Sequence, residues 1–187
     1  MDIVVVDSAK TQSYIFGSNR LQENIGASYL VTCVTEVWVV DTLLEVATDC
    51  NVVKNDKGWI FLPDKRLTGP AFTKGLDAEL LYAGGGNAIV LFQDHCTAVQ
   101  FIKRLSRRVL KKAPGQGLRI ASHSFTPVSP SISAEELWKA RDIVSKRLDQ
   151  QKRAGVPSAP LLGLGVTLQC QSTGLPAVCE IGAPGGD

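Results

Sequence analysis

The spacing of apolar and polar positions divides the chain into strands and helices. Ile3 to Val6 is a β-branched run that predicts a short buried strand ending at Asp7. Asp7-Ser8 then offers a turn or a helix cap. Thr11 to Phe16 predicts a short helix, broken by Gly17-Ser18-Asn19. From Glu23 to Val46 the period is helical, with Leu30, Val34, Val37, Trp38 and Leu44 apolar. Its β-branched content predicts a buried helix. Trp59 to Pro63 predicts a strand, entered through a turn at Asn55-Asp56-Lys57-Gly58, and Thr68 to Gly75 a loop. "LLYAGGGNAIVLF", Leu80 to Phe92, sets three glycines and an asparagine between two apolar runs, which predicts a hairpin. Cys96 to Lys112 is amphipathic, with Val99, Ile102, Leu105 and Val109 on one face, and Pro114-Gly115-Gln116-Gly117 ends it. Leu118 to Phe125 predicts a strand. Ser133 with Glu136 three residues on is a capping box for a helix running to about Ala154. Gly163 to Thr173 and Leu175 to Ile181 predict two further strands.

This order predicts an α+β fold with a mainly antiparallel sheet backed by helices. It matches the ferredoxin-like palm of nucleotidyl cyclases and polymerases, the GGDEF-like fold. One domain is expected over residues 1–182, with 183–187 as a linker. The 187 residues are long enough to bury a sizeable core. A net charge of +2 does not by itself point to nucleic acid. No apolar run approaches ~18 residues, so no membrane partner is expected. The first residues have no basic segment or cleavage site and read as a strand. Five cysteines without a CxxC pair predict buried free thiols and a cytoplasmic location. His95 and His123 lack any metal-ligand pattern.

A palm enzyme joins a 3′-hydroxyl to an α-phosphate with two divalent metals, which need carboxylate oxygens. One carboxylate ends the first strand and the others stand on the hairpin tip. Glycines there let backbone approach the triphosphate. Asp7 suits the first position, either as a metal or nucleotide contact or as a plain cap. At the tip, where an active cyclase has Gly-Gly-Asp-Asp or Gly-Gly-Asp-Glu, this chain has Gly84-Gly85-Gly86-Asn87. Gly86 has no side chain, and the Asn87 amide is a poor substitute for an anion. A palm without catalytic metals is expected. A two-residue turn at Gly86-Asn87 is the plain alternative for the tip.

The run from Asp7 to Leu30, "DSAKTQSYIFGSNRLQENIGASYL", resembles the start of a palm domain from the large subunit of type III CRISPR effector complexes. "YAGGGNAIVLF" resembles that family's glycine hairpin, and "GVTLQCQSTGLPAV", Gly165 to Val178, a later strand. In that family one palm keeps Gly-Gly-Asp-Asp and makes cyclic oligoadenylates from ATP. The other usually lacks the acidic tip and pairs with it. Gly86 and Asn87 place this chain with the second kind. The resemblance implies a non-catalytic palm in antiviral defence that binds ATP or a cyclic oligonucleotide and pairs with a second palm. The alternative is a nucleotidyl cyclase active only after assembly. Mg²⁺ brought in with ATP, held at Asp7, is the one cofactor this reading allows.

The expected nucleotide contacts are Asp7, Ser8, Gln12, Tyr14, Arg20, Gly84, Gly85, Gly86 and Asn87. Tyr14 has either to stack on a base or to pack. Arg20 either reaches a phosphate or stays solvated. Gly26-Ala27-Ser28 gives the long helix a small face. Arg104, Arg107, Arg108 and Lys111 share one helix face, which suits RNA or an acidic partner, or else a solvated helix back. The helix after Ser133 mixes both charge signs and reads as an ordinary exposed helix with Trp138 in the core.

Overall fold

A computed structural model describes residues 1–68, 75–129, 131–154 and 168–170. The expected strands at 163–173 and 175–181 lie outside the described residues apart from 168–170, as do 69–74 of the expected loop and the 183–187 linker.

The elements are β1 (Asp2–Ala9), α1 (Thr11–Ile15), α2 (Leu21–Thr32), a π-helical turn (Cys33–Val37) and α3 (Trp38–Val46). There follow β2 (Val52–Asn55), β3 (Gly58–Phe61), β4 (Ala78–Gly84), β5 (Asn87–Phe92), α4 (His95–Lys112), β6 (Gly117–Ser124) and α5 (Ala134–Arg153). Four strands form one sheet in the order β4-β5-β1-β6, every neighbouring pair antiparallel. β2 and β3 pair separately.

β1 is central and covered on both faces, hence its unbroken apolar run. Val4 and Val6 join a core with Val39, Leu43, Phe101 and Leu105 of α3 and α4. Ile3 and Val5 join a second core with Leu91, Val144 and Leu148 under α5. Alternation of side chains across the pleat sorts these residues between the two layers.

The predicted helix from Glu23 to Val46 is one helical stretch interrupted by the π-helical turn, and it is not buried throughout. α2 packs on α1 and on that turn rather than on the sheet. Leu21, Ile25 and Tyr29 are therefore exposed, and Gly26 meets no neighbour. Residues Leu21–Val46 together are long and apolar enough to cross a membrane, against the sequence expectation, but half of the most apolar window is buried in the fold. β2 escaped the sequence reading because Val52 and Val53 are its only apolar residues. Asn51 before it is buried and pairs with the edge strand β4. Its amide donates to the Leu80 carbonyl at 2.9 Å and accepts from the Leu80 N–H at 2.7 Å.

α5 begins as expected. The Ser133 hydroxyl accepts from the Glu136 N–H, and the Glu136 carboxylate accepts from the Ser133 N–H at 2.9 Å. The Val128 N–H, donating to the Glu136 carboxylate, does most to hold that carboxyl down at about 2, and the Ser133 hydroxyl and N–H, donating to it as well, add to the effect. Ser133→Ala should cost about 1 kcal/mol, read as a lower midpoint in urea. Trp138 is not core. The buried stripe of α5 is Ala140, Val144 and Leu148, and Trp138 lies off it, 63% exposed, with the Arg141 guanidinium 5.0 Å above its ring. Cys33 and Cys50 are buried free thiols as expected, but Cys96, in the first turn of α4, is exposed.

Candidate functional site

β1 does not end at Asp7. It runs two residues further, so Asp7 is a ladder residue rather than a helix cap, with Asn87 and Arg119 as its cross-strand partners. Cross-strand partners share a face, so Arg119, Asp7 and Asn87 form one row across the sheet on the α5 side. The first-strand carboxylate and the hairpin asparagine thus stand side by side.

The tip itself turns one residue earlier than the Gly86-Asn87 reading. Gly84 pairs with Asn87, leaving Gly85-Gly86 as the two-residue loop, with φ of 57° and 86°. Positive φ at both central residues is what a type I′ hairpin turn requires, and glycine takes it without steric cost. Gly86 is buried against the chain. Its carbonyl accepts from the Ser8 N–H at 2.8 Å, and a Cβ there would lie 3.8 Å from Ser8 Cβ and from Thr11 Oγ1.

Ser8 points the other way from Asp7, by strand alternation. Its hydroxyl accepts from Gln116 Nε2 at 2.9 Å, and Thr11 Oγ1 donates to the Ser8 carbonyl at 2.9 Å. The expected single pocket is therefore split. Asp7 and Asn87 face α5, while Ser8 and Gly86 are tied up with Thr11 and Gln116. Gln12 is exposed on α1. Tyr14 is half-buried, which raises its phenol above the usual range. Arg20 precedes α2, exposed, 3.6 Å from Glu23. None of these three reaches the row.

α5 creates the cleft. One flank is fastened to β6 by Arg147 Nη1, donating to the Ser122 carbonyl, and by Gln151 Nε2, donating to the Ile120 carbonyl at 3.5 Å. The helix packs on β6 and β1. Its other flank, Arg141, Ser145, Asp149 and Lys152, overlooks β5 and β4. Between lies a cleft of about 480 Å³ with Val5 and Ile89 as its apolar lining, Tyr82 at the side and Asp7 and Asn87 at the hairpin end. Lys152 Nζ sits 3.1 Å from Asp7 Oδ2. These helix residues escape the sequence reading because the mixture of charge signs along α5 looks like an ordinary exposed helix.

The donors here do not fit a pair of divalent ions. Asp7 already faces the Lys152 ammonium, and its ladder partners are an amide and a guanidinium. Among the described residues no three His, Cys, Asp or Glu side chains converge.

The basic face of α4 is partly used within the fold. Arg108 Nη1 donates to Thr42 Oγ1 at 2.9 Å and its Nη2 pairs with Glu45; Arg104 donates to the Glu45 carbonyl at 3.4 Å. Arg107 and Lys111 are exposed. Two of the four expected RNA contacts are thus engaged with α3.

No protein-family model matches the chain, and a search of curated proteins finds no significant match.

Proposed function

We propose that this chain is a non-catalytic palm domain, related to the cyclic-oligonucleotide synthases of type III CRISPR complexes, that binds a nucleotide and pairs with an active palm in antiviral defence. The β-α-β-β-α-β order on a β4-β5-β1-β6 sheet supports it, since that is the split βαβ arrangement of ferredoxin-like domains. The observation that carries the reading is the Asp7–Asn87 pairing. It sets the first-strand carboxylate against the hairpin strand, where a metal-dependent palm needs a second anion and this chain has a neutral amide. The exposed Phe16, Leu21, Ile25 and Tyr29 supply an apolar surface of the kind that protein partners cover.

Calorimetry with ATP, cyclic oligoadenylates and cyclic dinucleotides tests the ligand half. Binding is expected for at least one, weakened roughly tenfold by Asp7→Ala through loss of a charged hydrogen-bond acceptor. Incubation with labelled ATP and Mg²⁺ or Mn²⁺ is expected to give no product. Silence with every ligand would end the nucleotide reading, and product lost on Asp7→Ala would replace it with an enzyme.

A further inference from the structure

We infer that the cleft under α5 grips its ligand by an amino-bearing purine base and not by phosphate, without a divalent metal. This rests on the nucleotide reading above and says which part of the nucleotide the site recognises.

Charge gives phosphate no net attraction among the side chains that line the cleft, although Arg119 stands beyond Asp7 in the sheet row. Two carboxylates, Asp7 and Asp149, and two cations, Arg141 and Lys152, line the cleft, so the charges cancel. Each cation also has company: Lys152 stands beside Asp7, and Arg141 lies over the Trp138 ring. A triphosphate laid there would lose to the two carboxylates about what it gains from the two cations, since like charges at contact repel as opposite charges attract.

The same groups suit a base. Val5 and Ile89 are an apolar floor, and the half-exposed Tyr82 ring offers a face on which a flat heterocycle can stack. The volume of about 480 Å³ is within the usual range for small-molecule sites. At the closed end Asp7 is 9% exposed, and its Oδ2 has no aligned hydrogen bond even though Lys152 is close. An ionised carboxylate accepts only, so it calls for a donor, and an exocyclic amino group is one. The Lys152 ammonium, its side chain nearly half exposed, stays beside Asp7, so a donor and an acceptor stand together at that end for a base edge. Asn87 and Ser145 add groups that both donate and accept.

The test is calorimetry on the unaltered chain with two ligand pairs that differ by one amino group: guanosine against inosine, and adenosine against purine riboside. GTP and ATP are titrated with Mg²⁺ and again with EDTA. The amino-bearing member of at least one pair should bind roughly tenfold tighter, the size of a hydrogen bond to a charged acceptor. The triphosphates should bind within about threefold of their nucleosides, because phosphate contributes little there, with EDTA making no difference. Asp7→Asn should remove the amino preference while circular dichroism shows an intact fold; if that variant does not fold, the ligand pairs decide alone. Equal binding within both pairs, or binding only by triphosphate with Mg²⁺, would overturn the inference and leave the nucleotide reading standing. No binding by any nucleoside or nucleotide would overturn both.

Discussion

Replacing Phe101 by alanine is expected to destabilise the protein by about 3–5 kcal/mol, the usual range for emptying a phenylalanine site in a packed core. Phe101 is fully buried on the inner face of α4. Its ring meets that of Phe92 on β5 at 5.2 Å between centroids, so the pair joins helix to sheet. Truncation removes transfer energy and leaves a void that the central strands are too rigid to fill. In a chain of this size the melting temperature should fall by about 10 °C. Phe101→Leu keeps most of the volume and should lose less than half as much stability. Equal losses for the two variants would show that the site is loosely packed and would sink this account.

The second large effect belongs to Glu79, a buried carboxylate on β4. Its Oε2 accepts from the Leu67 N–H at 2.7 Å and the Thr68 N–H at 3.1 Å, and Oε1 from the Thr68 hydroxyl at 3.1 Å. Glu79→Ala strands these donors, one of them fully buried, at a cost of about 3 kcal/mol. Burial pushes the Glu79 carboxyl above its ordinary value of 4.5, although the same hydrogen bonds pull it back. The native state therefore keeps this proton to higher pH than the unfolded chain does. From about pH 4.5 upward the unfolded chain ionises first, so the contribution of Glu79 falls as pH rises and levels off above the folded value. Glu79→Gln cannot ionise. The stability of wild type relative to Glu79→Gln should decline across that window, measured by urea unfolding at stepped pH. A flat difference would mean that the carboxyl is not perturbed.

The elements that the sequence disclosed are those whose local pattern and tertiary setting agree. Ile3 to Val6, the glycine hairpin, the amphipathic stretch before Lys112 and the Ser133 capping box each carry a signal set by nearest neighbours, and each forms. The errors sit where long-range contacts decide. The stretch from Glu23 to Val46 reads as one buried helix, but its first half, with Ile25 and Tyr29 exposed, packs on α1 and the π-helical turn. Trp138 is the largest apolar side chain on α5 and still falls off the stripe that Ala140, Val144 and Leu148 bury. Because β1 carries on through Ser8 and Ala9, strand alternation sets Asp7 and Ser8 on opposite faces. The Lys152 contact joins residues 145 positions apart, the difference between 152 and 7, and no local pattern announces it. That Asp7 and Asn87 stand near each other was implied by comparison with a palm, not by any local pattern. The wall that α5 builds beside them was not.

Both outer strands of the sheet have side chains where a visiting strand would dock. On β4 the Asn51 amide takes the Leu80 donor and acceptor, imitating a neighbouring peptide group. On β6 Arg147 and Gln151 reach down from α5 to the Ser122 and Ile120 carbonyls. At those points the sheet is not a template for its own copies in a crowded cell, since extension would first have to strip away these bonds.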